Sequence, residues 1–222
     1  MIFDIFRKKK KELPLIHWKD ITIAKHKAIV KAYENHTDQF ELALALVCAA
    51  YGKDEHWLDG LKVSEATDYI KTLAFIGEEP KPSVAKRNYL LGGRRYRLTM
   101  NPQEMSVSQY IDFQQLADKS GEQPAEFLSV LLIPKGHKYG DGYDITQVVD
   151  DIEQWLPVED AMGLTAFFFA LLRWSMRRST RLLRRLKRKA EKEGLMTPEQ
   201  LQVLTEVLEQ FESGDGLRQL TL

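Results

Sequence analysis

Cysteine is almost missing from this chain. Cys48 is the only one, so no intrachain disulfide can brace the fold and no cysteine-rich ligand set can hold a metal. Its setting in ALALALVCAAYG marks it as a small buried core residue, not a nucleophile. Long apolar runs are missing too: the longest, from Leu164 to Leu172, meets Arg173 well short of the roughly 20 residues a membrane span needs. A secretory leader is not expected, because apolar Ile2, Phe3, Ile5 and Phe6 come before the basic run Arg7 to Lys11, the reverse of the usual order. Catalytic signatures are equally scarce. The five histidines, His17, His26, His36, His56 and His137, form no His-x-x-x-His pair, and neither a nucleophile elbow nor a phosphate loop appears. A protein without enzymatic activity, cofactor, metal or small-molecule substrate is therefore expected, made and kept in a reducing cytoplasm.

Net charge is also lacking, since 32 basic residues balance 32 acidic ones over 222 residues. A dedicated nucleic-acid binder is usually basic overall, which counts against that class. The balance conceals a block, however. Between Arg173 and Lys192 ten cations meet one acid, Glu191, for a local charge of +9, so the rest of the chain must sum to about −9.

Hydrophobic periodicity makes the chain mainly α: a helical N-terminal subdomain, one short β-hairpin, and a helical C-terminal part whose long basic helix belongs to an antiparallel helix hairpin. The boundaries read as a basic arm over 1–14, a helical subdomain over 15–77, a hairpin with helical core over 84–157, and the helix hairpin over 158–222. Asp20 or Thr22 caps a helix to about Tyr33, with Ile23, His26, Val30 and Tyr33 at helical spacing. Thr37 or Asp38 starts a second helix, which Gly52 ends. Asp54 caps a single turn holding Trp57 and Leu58, and Ser64 caps a helix through about Phe75 that carries Tyr69, Ile70, Leu73 and Ile76.

GEEPKP, residues 77–82, cannot continue a helix and is the linker candidate. Gly92-Gly93 suits a two-residue hairpin turn in NYLLGGRRYRLTM. Ser106 or Ser108 then caps a helix with Val107, Tyr110, Ile111, Phe113, Leu116 and Ala117 turned inward. PAEFLSVLLIP reads as a buried helix opened by Pro124 and closed before Pro134. KGHKYGDGYD is a structured connector: Asp141, Asp144 and its glycines match neither an EF-hand nor a phosphate loop. Asp144 caps a helix with Ile145, Val148, Val149, Ile152 and Trp155 inward and Asp150, Asp151 and Glu153 outward.

Pro157 opens the long helix over 158–192. At 1.5 Å per residue it makes a rod of roughly 50 Å. Its aromatic first half, around Phe167, Phe168 and Phe169, reads as buried all round. At about 100° per residue, Met176, Ser179, Leu183, Leu186 and Ala190 form an apolar seam with Leu172. A last helix from Thr197 to about Ser213 covers that seam with Leu201, Leu204, Leu208 and Phe211. Its acids only partly neutralise the cations, and Trp174 falls among the arginines. Trp174, Arg177, Arg178, Arg181, Arg184, Arg185 and Arg188 are the candidate interface, toward an acidic neighbour or DNA. Phe3 and Phe6 are a second candidate, an apolar peg for a partner's groove.

The run LTMNPQEMSVSQYIDFQQLADKSGEQPAEFLSVLLIPKGHKYGDGYDITQVVDDI, with VEDAMGLTAFFF after it, resembles small helical proteins encoded among the virion genes of tailed bacteriophages, including crAss-like phages. The resemblance covers about residues 88–170. It implies a structural or assembly role, as a head-to-tail neck ring protein or a tail-assembly chaperone, acting in the host cytoplasm and in the virion. It implies homo-oligomers and other virion proteins as partners, and it carries no catalytic residues.

Overall fold

In the computed structural model the described residues are mainly helical, with a single small antiparallel sheet of three strands among them. Residues 16–101, 104–117, 119–193, 197, 201–203 and 205 are described. They divide into two compact units: one holds the described chain as far as Lys81 together with Glu153–Glu159, the other runs over Pro82–Ile152 and resumes at Asp160.

The first unit starts with a 3-10 turn at Trp18–Asp20 and continues through α1 (Ile23–Asn35), α2 (Gln39–Tyr51), α3 (His56–Asp59) and α4 (Val63–Lys71). Thr22 caps α1 by accepting from the Lys25 amide, Asp38 caps α2 by accepting from Phe40 and Glu41, and Gly52 ends α2 at φ 62°. The Asp54 carboxylate accepts from the Trp57 amide, as expected. α1 differs in the face it turns inward. Ile29 and Ala32 are buried while Val30 and Tyr33 lie open, because two stripes one residue apart share the same helical spacing and packing on α2 selects between them. α4 starts before Ser64: the Glu65 carboxylate reaches back to the Lys62 amide, and Phe75 and Ile76 sit in a separate 3-10 turn, Ala74–Gly77. Ile21, Ile29, Leu46, Val47 and Leu73 form the core with Val158. Residues 153–159 are tied in by the backbone, with Ile23 donating to the Leu156 carbonyl at 3.1 Å and Val158 to the Ile21 carbonyl at 2.8 Å.

The second unit carries β1 (Asn88–Leu91) and β2 (Arg94–Leu98), paired with Leu91 opposite Arg94 around Gly92 and Gly93, both at positive φ. A third strand, β3 (Leu132–Pro134), pairs with β2 and corrects the helix expected to close only just before Pro134. α6 (Pro124–Leu131) ends earlier because a residue before proline is pushed toward extended backbone, and here that residue is β-branched Ile133. β3 is an edge strand, where the missing proline N–H costs nothing.

α5 (Val107–Ala117) is capped by Ser106, whose hydroxyl accepts from the Gln109 amide. Its inward residues are Gln109, Phe113 and Ala117, whereas Val107, Tyr110 and Ile111 face out. Gln109 is buried at no polar cost, since its amide donates to the Val130 carbonyl at 2.7 Å and to the Thr99 hydroxyl. α7 (Ile145–Trp155) buries Val148 and Ile152 as expected but exposes Ile145 and Trp155 and turns Asp151 inward. Within this unit α8 (Val158–Glu193) contributes buried Leu164, Phe168 and Phe169, and the Phe113 ring packs tilted against Phe168 at 4.6 Å between ring centres. Its first half is not buried all round: Ala166 and Ala170 lie open and Phe167 is half-covered. Among the described residues no helix is long and apolar enough to cross a membrane.

Candidate interaction surface

α8 forms because nothing interrupts it: no proline or helix-breaking pair falls in its 36 residues. Within the second unit it is anchored through Asp160, a largely buried carboxylate in its first turn, where the helix dipole favours negative charge. The Ser83 hydroxyl donates to Asp160, and the Lys86 ammonium lies 3.1 Å from the same carboxylate. Lys86 also gives its backbone amide to the Tyr89 hydroxyl at 2.9 Å. Gly163 lets this strap lie against the helix, since a Cβ there would run into the Ser83 backbone.

Farther along α8, Arg181, Arg184, Arg185, Arg188, Lys189 and Lys192 are exposed. Lys187 is partly covered and pairs with Glu191 at 3.9 Å, and Arg184 is itself engaged. Leu186, assigned to the apolar seam, is 48% exposed. The backbone of Trp174, Arg177 and Arg178 is helical, but their side chains lie outside the described residues, as do Phe3 and Phe6. Helical backbone recurs at 201–203 and 205; the expected pairing of a last helix with α8 through Leu204, Leu208 and Phe211 falls outside the described residues.

A second basic surface escaped the sequence reading. Strand alternation turns Tyr96 and Leu98 inward and leaves Arg95 and Arg97 exposed, with Leu90 opposite Arg95 on the open face. The signal was present in RRYRL, where Tyr96 and Leu98 alternate with Arg95 and Arg97.

Asp151, 5% exposed, is a buried carboxylate with three side-chain donors. One carboxylate oxygen accepts from the Tyr96 hydroxyl at 2.6 Å and from the Arg94 guanidinium at 2.9 Å, and the other accepts from Gln147 at 3.0 Å. Burial, then the adjacent carboxylate, pushes the Tyr96 hydroxyl far above the ordinary tyrosine range. Tyr139 is raised in the same way, by burial and then by Asp112, to which it donates at 2.6 Å. Burial lowers His26 and raises Cys48. Tyr96, Tyr139 and Cys48 are hydrogen-bonded within the fold, and the His26 ring lies against Trp18. In the 135–144 connector, Asp141 accepts from the Lys138 amide and Asp144 caps α7, so both carboxylates are occupied by backbone. Among the described residues no three His, Cys, Asp or Glu side chains converge on a metal position. The exposed arginines and lysines have the chemistry to pair with carboxylates or phosphates.

No protein-family model, curated protein or solved structure matches this chain.

Proposed function

We propose that this chain is a non-enzymatic structural or morphogenesis protein of a tailed bacteriophage, a ring-forming component of the head-to-tail connector, or neck. The carrying observation is the cationic half of α8: Arg181, Arg184, Arg185 and Arg188 stand exposed on one helix of a chain with no net charge. A neutral chain with separated charge blocks is suited to head-to-tail association, the basic helix of one copy meeting acidic surface on the next, and such contacts close into rings when the rotation allows. The resemblance of residues 88–170 to virion-encoded helical proteins points the same way. On this reading the protein assembles in the host cytoplasm with other virion proteins and stays in the particle.

A tail-assembly chaperone shares the resemblance but leaves before the particle is finished. Sequence-independent DNA binding is favoured by one feature, the clustering of arginines, which neutralise phosphates and would make binding strongly salt-dependent.

Native mass measurement of the purified protein tests the ring, which predicts a closed oligomer that Arg181→Glu with Arg184→Glu disperses. A monomer at high concentration, alone and with virion partners, refutes it. Mass spectrometry of purified virions separates neck component from chaperone, and a filter-binding titration across salt concentrations reads the DNA alternative.

A further inference from the structure

α5 carries apolar residues on two faces, and only one is used. Phe113 and Ala117 enter the core, while Val107 is 78% exposed, Tyr110 42% and Ile111 48%. These three lie at i, i+3 and i+4, one continuous stripe along the outer side of the helix. The Gln114 amide donates to the Tyr110 hydroxyl at 2.8 Å, which holds the ring in place at the end of the stripe.

The surroundings of the stripe restrict what can cover it. Among the described residues of 101–123, Glu104, Asp112 and Glu122 stand against one cation, Lys119, and Asp112 is held by the Tyr139 hydroxyl. Acidic surroundings repel nucleic acid and anionic membrane. They also disfavour the same face of a second copy, which would bring acids against acids. Three side chains are far too few for a free-standing interface, which buries about 1,600 Å². A short apolar segment with a cationic flank, tethered so that its effective concentration is high, fits both the size and the charge.

The chain contains one such segment, at its start: Ile2, Phe3, Ile5 and Phe6, followed directly by Arg7, Lys8, Lys9, Lys10 and Lys11. We infer that the Val107–Tyr110–Ile111 stripe of one copy is the docking site for residues 2–11 of a neighbouring copy, with Phe3 and Phe6 on the stripe and the basic run against the acids around it. The choice of a neighbouring copy rests on the ring proposed above. The arm would add a second, weak contact per neighbour to the one made by α8.

Co-expression of two full-length variants tests this, both with Cys48→Ala: a tagged Asp4→Cys chain and an untagged Gln115→Cys chain. Neither change removes Phe3, Phe6 or a stripe residue. Mild oxidation should give a hetero-disulfide of tagged with untagged chain, and adding Tyr110→Asp to the untagged chain should abolish it. Absence of that product, or its persistence with Tyr110→Asp, overturns the docking. Native mass of the same sample keeps the two readings apart. Oligomers without the hetero-disulfide remove the arm and leave the ring. A hetero-disulfide in particles of only two copies removes the ring and leaves the arm. Monomers without one remove both.

Discussion

Replacing Asp151 with alanine should cost this protein more stability than any surface acid. The carboxylate is buried and accepts from Tyr96, Arg94 and Gln147, which joins β2 to α7 through side chains alone. Tyr96 is 1% exposed, so without Asp151 its hydroxyl loses its acceptor and has no water to replace it. An orphaned buried hydroxyl costs about 1–3 kcal/mol, and the lost bond to Gln147 adds up to about 1 kcal/mol more. The Arg94 guanidinium is half in water and re-solvates when its partner goes, so it adds little. The sum is about 1–4 kcal/mol for Asp151→Ala. Tyr96→Phe should cost about 1–2 kcal/mol, because Asp151 keeps its other two donors. The double variant leaves no orphaned hydroxyl and should cost about 1–2 kcal/mol less than the two singles added. A chain of two units need not unfold in one step, so urea melts followed by circular dichroism should be paired with hydrogen exchange over 94–98 and 145–152. Strict additivity of the two singles, or an Asp151→Ala cost below about 0.5 kcal/mol, would show that the contact carries no energy.

Gly163→Ala tests the approach of the 83–86 strap to α8. In an open helix such a change gains up to about 1 kcal/mol, but here the added methyl meets the Ser83 backbone and should cost about 1–3 kcal/mol, a reversal of sign readable in a melt. The alkaline limb of stability reports Tyr96 and Tyr139. Both are held protonated by burial and a carboxylate acceptor, so above about pH 10 the unfolded chain ionises these residues while the folded one keeps the protons. The stability they contribute is complete below that pH and declines as pH rises toward their folded values. Tyr139→Phe should flatten the fall in melting temperature between about pH 9 and 11, and an unchanged slope would show that Tyr139 is not a source of it.

Element type and order could be read from the sequence because they rest on local rules. Thr22, Asp38, Asp54 and Ser106 cap where short polar side chains should, and Gly92-Gly93 makes the expected two-residue turn. Which face goes inward was less legible. On α1 and α5 two apolar stripes sit about one residue apart, and only the packing of Ile29 or Phe113 against a neighbouring element selects one. β3 was missed because LLIP continues an apolar run that periodicity cannot distinguish from helix; the decisive information was Pro134 acting back on Ile133. Asp151 was placed outside because an acid on an amphipathic helix usually is, and its donors, Tyr96 and Arg94, are more than fifty residues away in sequence.

The exposed half of α8 stands at odds with its own helicity, and that tension bears on function. Arg181 and Arg185, Arg184 and Arg188, Arg185 and Lys189, and Arg188 and Lys192 are each one turn apart. Like charges at that spacing oppose the helix by about 0.2–0.5 kcal/mol per pair, together about 1–2 kcal/mol. The pairing of Lys187 with Glu191 offsets part of this, Arg184 is engaged as well, and the negative dipole end of the helix helps mainly in its last turn. A helix kept purely as scaffold would gain by exchanging some of these arginines for glutamate. An anionic partner removes the same repulsion on contact, so its binding energy and the helix's stability become linked. On the proposed reading, association with an anionic neighbour would relieve this repulsion, so binding and helix stability would rise together.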